Sequence, residues 1–145
     1  MKQDGLGSSK MGVLLIEVAK AHRTRVAAGL TPLGLHIGQE LLLAQLTDPR
    51  GVPRSDLVAR LQVERPTVAK MLRRMISSGM VERRRDPEDG RIWRVTVTPK
   101  GRALQSKVER LWTAVERELT ANMTPRELKA AARLLRRMRD NVKPP

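Results

Sequence analysis

A mainly helical chain carrying one small β-hairpin is the fold class that the sequence predicts. Three observations lead there. Apolar residues recur at three- and four-residue spacing through most of the chain, the signature of amphipathic helices. Between 81 and 98 that rhythm gives way to strand-like runs on either side of a loop rich in turn formers. The length of 145 residues and hydrophobic fraction of 40% suit one compact unit with a real core.

The elements follow in order. Met11, Leu14, Leu15, Val18 and His22 share one helical face, which predicts a helix over 10–28 ended by Gly29. A second helix is expected over 35–46, stopping at the turn formers Asp48-Pro49-Arg50-Gly51. A short helix over 54–61 turns Leu57, Val58 and Leu61 inward, and another over 65–78 ends at Gly79. Strands are expected over 81–85 and 92–98, joined through Asp86-Pro87-Glu88-Asp89-Gly90-Arg91. Thr98-Pro99 pairs a hydroxyl cap with proline at the first helical position, opening a helix whose stripe is Leu104, Leu111, Val115 and Leu119 with Val108. Thr124-Pro125-Arg126-Glu127 matches a capping box, and Leu128, Ala131, Leu135 and Met138 follow on one face. Residues 1–9 and the closing Lys143-Pro144-Pro145 read as frayed ends.

Composition excludes several function classes. Cysteine is absent, which removes disulfides, thiolate metal sites and cysteine nucleophiles. No apolar run approaches the ~20 residues of a membrane span, and no secretory signal stands at the start, so a cytoplasmic protein with no membrane partner is expected. The only aromatic residues besides histidine are Trp93 and Trp112, which disfavours RNA modules that stack bases on Phe or Tyr. No glycine-rich phosphate loop, nucleophile elbow or metal cluster is present, so neither an enzyme nor a cofactor is expected. His36 and Glu40 have the spacing of a one-face metal pair, but a packed or capping histidine is the commoner outcome and no metal is assigned.

The net charge of +14 opposes compaction by self-repulsion and implies a polyanionic partner. It is concentrated: residues 54–102 hold 13 basic and 6 acidic groups, against 6 and 4 in residues 1–53. That basic middle contains two short helices joined by a tight turn and then a hairpin, a winged helix-turn-helix order. At 100° per residue the 65–78 helix puts Val68, Met71, Leu72, Met75 and Ile76 on one side, and Pro66, Thr67, Lys70, Arg73, Arg74 and Ser77 on the other. One face packs while the other is basic and hydroxylated, as major-groove reading requires. Lys70 can donate to guanine O6/N7, Thr67 can serve either base type, and Pro66 offers apolar contact. Arg73, Arg74 and Arg54 are placed for the flanking phosphates, and Arg65 and Ser55 are further expected DNA contacts. A solvated helix face is the plain alternative; the hairpin and the net charge favour nucleic acid over it.

The hairpin brings Arg83, Arg84 and Arg85 on its outgoing strand and Arg91 at the return. Asp89 beside Arg91 can hold the guanidinium by paired hydrogen bonds, lowering the entropy lost on entering a narrow minor groove. The competing reading is that Asp89 caps the turn and Arg91 stays in solvent.

At these residues the sequence resembles the MarR family of bacterial transcription regulators. The resemblance runs from about Leu14 to Met138. It is strongest in Ser55-Asp56-Leu57-Val58-Ala59-Arg60-Leu61 with Arg65-Pro66-Thr67-Val68, in Gly79-Met80-Val81-Glu82-Arg83, in Asp86-Pro87-Glu88-Asp89-Gly90-Arg91 and in Val97-Thr98-Pro99-Lys100-Gly101-Arg102. It implies a homodimer on a palindromic double-stranded DNA operator, usually repressing a gene and often released by a small aromatic or anionic effector. By position, Pro66, Thr67 and Lys70 match the family's base-contacting residues and Arg91 the arginine of its wing. Gly90 departs from the pattern where a basic residue is frequent, and Pro53 where a capping serine is common.

The domain plan expected is a helical dimerisation region over 10–30 and 100–142 around a DNA-binding region over 31–99, with the helix-turn-helix at 54–78 and the wing at 81–98. The dimer face is expected to use Leu14, Leu15, Val18, Leu111, Val115, Leu128, Leu135 and Met138, because these stripes exceed what a small wing domain can cover. His36 and Trp112 are the expected effector-pocket residues. The rival function is a nonspecific basic architectural nucleic-acid-binding protein, which would account for the charge but not for the two-sided 65–78 helix.

Overall fold

The computed structural model describes residues 10–143, so the expected frayed residues 1–9 and the closing prolines lie outside the described residues. The helices are α1 (Lys10–Leu30), α2 (Gln39–Gln45), α3 (Arg54–Leu61), α4 (Arg65–Ser77), α5 (Pro99–Leu119) and α6 (Pro125–Val142). The strands β1 (Val52–Pro53), β2 (Val81–Arg85) and β3 (Trp93–Val97) form one antiparallel sheet in the order β1-β3-β2. The mainly helical class with a hairpin is thus as the sequence reads.

Three details differ from the expectation. Gly29 does not end α1, which continues to Leu30 and a single 3-10 turn at Thr31–Leu33. Its missing side chain serves packing: a Cβ there would come within 2.2 Å of Leu111 Cδ1 on α5. The left-handed residue that stops the turn is Gly34, at φ 70°. The second helix is shorter than expected because Gly38 sits at φ 97°, outside helical space, and only from Gln39 does the chain wind. The strand β1 was not expected at all.

The predicted caps are formed. The Thr98 hydroxyl accepts from Gly101 N, and Thr124 and Glu127 make the reciprocal capping box of α6. Gly79 takes φ 73° after α4, and Gly51 takes φ 84° to close the turn from Asp48. Val26 and Leu30 of α1, Leu42 and Leu43 of α2, Leu57 of α3, Val68 and Met75 of α4, Val81 and Val95 of the sheet, and Val108 and Val115 of α5 meet in one aliphatic core. Burying a large aliphatic side chain contributes roughly 1.5–3 kcal/mol, so this cluster fixes how α4 and the sheet are presented. On its surface Arg25 of α1 grips Glu118 of α5 through both carboxylate oxygens, at 2.8 and 2.7 Å.

α6 is the exception. It is 18 residues long with a strongly one-sided apolar distribution, yet none of its residues is buried within the chain. Leu128, Leu134 and Leu135 face outward, as do Met11, Leu14, Leu15, Ile16 and Val18 of α1. Together with the end of α5, all of these but Ile16 border an apolar groove of about 520 Å³. Two expected members of this face lie elsewhere: Val115 is buried in the chain's own core, and Leu111 packs against that core beside Gly29. The α5 stripe divides because its early turns cover the core and only its last turn reaches the groove.

Candidate nucleic-acid interface

The α3–turn–α4 unit is fixed from beneath. Leu57 holds α3, while Val68, Leu72 and Met75 hold α4, all at 6% exposure or less. Gln62 takes a left-handed φ of 52° to reverse the chain, and Pro66 occupies the first turn of α4, where its missing N–H costs nothing. With one face so anchored, the opposite face is set. Arg65, Pro66, Thr67, Lys70, Arg73 and Arg74 are all exposed, as the spacing requires. Of the expected inward residues, Met71 is half-buried and Ile76 is exposed toward the sheet side. Arg54 and Ser55 stand exposed at the start of α3.

The wing is a hairpin with its own frame. Asp86 accepts backbone hydrogen bonds from Glu88 (2.8 Å) and Asp89 (3.0 Å), and its carboxylate is closed by Arg94 of β3. These donors hold the Asp86 carboxyl down at about 2, the Arg94 guanidinium being the larger cause. Asp89 contacts both the backbone and the side chain of Arg91. Its Oδ1 accepts from the Arg91 backbone N at 3.0 Å and from Arg91 Nε at 3.3 Å, so it caps the turn and biases the guanidinium through one nitrogen, not two. The Arg91 side chain is 92% exposed at the tip. Arg84 pairs with Glu82, and Arg85 donates to the Gly90 carbonyl, so both are partly engaged within the wing.

Sequence pattern places Arg83 on the outgoing strand without a contact role and does not single out Trp93. Register explains why they matter: Arg85 stands opposite Trp93 and Arg83 opposite Val95, so all four side chains share one sheet face. The guanidinium carbons of Arg83 and Arg85 lie 4.6 and 4.5 Å from the Trp93 ring centroid.

The expected effector residues separate. Trp112 borders a cleft of about 290 Å³ between α1, α2 and α5, together with His22, Arg23, Ile37 and Glu40. His36 is exposed in the turn before α2 and does not line it; His22 takes that place, its ring 5.4 Å from Trp112. Glu40 is 2% exposed, its Oε2 has no hydrogen-bond partner among the described residues, and burial pushes its pKa up. Among the described residues no cluster of metal-ligating side chains occurs, and no helix is long and apolar enough to cross a membrane.

A buried-backed helix with a cationic outer face, a short helix before it and a hairpin beside it define a winged helix-turn-helix surface. The sequence model of the MarR family matches residues 35–93, which span α2, the helix-turn-helix and most of the wing. An HTH-type transcriptional repressor of Mycobacterium tuberculosis is 28% identical over 128 residues, covering 88% of this chain and 92% of its own. A mutant MarR from E. coli, solved in complex with operator DNA, superposes with a TM-score of 0.79 at 27% identity, over 88% of this chain and 92% of that one. The fold is also that of MepR from S. aureus in its DNA complex, with a TM-score of 0.85 at 19% identity over 93% of this chain and all of that one. Residues 35–93 thus carry the MarR-family domain, and the chain as a whole shares the fold of the solved MarR structure.

Proposed function

We propose that the protein is a sequence-specific regulator of transcription that binds double-stranded DNA, acts as a repressor, and works as a homodimer on a palindromic operator. The observation that carries the reading is the outward face of α4: Pro66, Thr67 and Lys70 are exposed together on the side opposite Val68, Leu72 and Met75. Lys70 supplies donors for guanine, and Thr67 a hydroxyl and a methyl for either base type. Arg91, biased by Asp89, reaches for the minor groove, and the bend between groove and groove is bridged by backbone contacts.

The homodimer rests on α6. An amphipathic helix with no fully buried residue, beside the exposed apolar turns of α1, has the character of a core cut in half. Two subunits related by a two-fold axis present two α4 helices to half-sites one helical turn apart, which is why the operator is palindromic. Release by a small aromatic effector is supported by the Trp112 cleft, with His22 and Arg23 as its basic members.

Selection of bound duplexes from a random pool tests the reading. The expected outcome is a two-fold-symmetric site preferred over random duplex by at least about a thousandfold. A flat titration across sequences would instead establish the nonspecific architectural alternative.

A further inference from the structure

Several arginines have carboxylate partners: Arg25 with Glu118, Arg50 with Asp48, Arg84 with Glu82, Arg91 with Asp89, Arg94 with Asp86 and Arg139 with Asp140. Arg54, Arg73 and Arg83 form no ion pair with a carboxylate among the described residues. Yet these three, from α3, α4 and β2, converge on one cleft of about 180 Å³ between the end of α4 and the sheet. Its floor is apolar, with Leu72, Ile76 and Trp93. Three like charges gathered without a counterion repel one another, and an anion seated among them removes that cost.

Trp93 decides where one of the three can go. A guanidinium is attracted to the face of an indole, and Arg83 lies 4.6 Å from its centroid. Arg85 lies on the same ring at 4.5 Å but also donates to the Gly90 carbonyl, so it belongs to the hairpin. Arg83 has no such second tie and stays over the cleft. The cleft lies between α4 and the sheet of the wing, and on the DNA-binding reading a strand passing from major to minor groove crosses it. The ligand that fits there is a phosphodiester, which a guanidinium binds through paired hydrogen bonds.

We propose that the cleft of Arg54, Arg73 and Arg83 seats one backbone phosphate of duplex DNA, with Trp93 as the positioning residue that holds Arg83 for it. This rests on the DNA-binding reading, but it concerns affinity shared by all sequences, so no operator is needed to test it. Full-length protein is titrated with a mixed-sequence duplex of about 30 base pairs across a series of salt concentrations (about three turns, room for two half-sites). Trp93→Leu keeps the apolar floor but loses the ring. It is expected to bind more weakly and with a salt dependence shallower by about one unit of slope, the equivalent of one lost phosphate contact. Trp93→Phe restores the slope, because phenylalanine keeps a π face. Arg83→Gln shows the same shallow slope with the ring intact. In a Trp112→Phe background the remaining Trp93 emission changes as duplex is added.

Urea unfolding of the Leu and Gln variants separates folding from binding, and a variant that unfolds leaves the other to decide. Unchanged slopes in both folded variants overturn the phosphate seat, and an equal emission change with inorganic phosphate alone at matched ionic strength overturns its assignment to the duplex backbone. Failure of the unaltered protein to bind any duplex overturns the DNA reading itself, together with this one.

Discussion

Arg94 of β3 closes onto the carboxylate of Asp86, eight residues back around the wing, and donates a second hydrogen bond of 2.9 Å to the carbonyl of Gly51. One guanidinium therefore ties the hairpin loop to the turn that precedes β1. The pairing lowers the Asp86 pKa to about 2, below the ~3.9 of an unfolded aspartate. The unfolded chain thus binds this proton first on acidification. The stability that the pair contributes is complete above about pH 4 and is lost as pH falls through about 2. Acid unfolding followed by circular dichroism should show this dependence, and Asp86→Asn should remove it while lowering stability at neutral pH. An acid limb unchanged in the Asn variant would mean that Asp86 is not the group responsible.

Gly101 is held against the sheet. A Cβ at this position would lie 2.0 Å from the Met80 carbonyl oxygen, which already accepts from the Thr98 backbone and hydroxyl. Backbone cannot yield as a side chain can. Gly101→Ala is expected to cost at least about 2 kcal/mol, read from the urea midpoint. A cost near zero would show that α5 can shift away from the sheet.

Lys70→Ala should cost ~1–3 kcal/mol on the selected site, because a base contact is lost. On random duplex its effect should be no more than that of any one lost charge. The ratio of the two affinities is the measurement, and an unchanged ratio would remove Lys70 from base reading.

Leu135 is 52% exposed in the single chain, so its replacement by glutamate should barely alter an isolated protomer. On the dimer reading Leu135→Glu buries a charge against a partner and halves the mass seen by sedimentation. Val142→Glu, at a site 79% exposed and outside the groove, serves as the control and should leave the mass unchanged.

Thr124→Ala removes the hydroxyl that accepts from the Glu127 backbone at 3.2 Å. The expected loss is about 1 kcal/mol in thermal or urea unfolding.

What could be read from the sequence follows from the range of the forces involved. Caps are local, so Thr98 and the Thr124–Glu127 box were legible at single-residue resolution. The outward set of α4 was legible because 100° spacing alone sorts Lys70 from Leu72. Gly29 misled because a glycine that admits Leu111 looks the same in sequence as one that stops a helix. The pair Val52–Pro53 was illegible as a strand: two residues show no alternation, and its partners Val95 and Arg94 are some forty residues on. Trp93 escaped for the same reason, since its neighbours Arg83 and Arg85 are set by cross-strand register. On α5 the stripe was visible but its destination was not. Periodicity says that Val115 is apolar, not whether it is covered by its own chain or by another.

The lack of any buried residue in α6 also bears on how the protein melts. Most of the stability of an amphipathic helix comes from packing of its apolar face. Its order must come from whatever covers its apolar side, and if that is a second copy, the unit that unfolds cooperatively is larger than one polypeptide. Heat resistance then becomes a property of the solution as much as of the sequence, with the transition temperature climbing as the protein is concentrated.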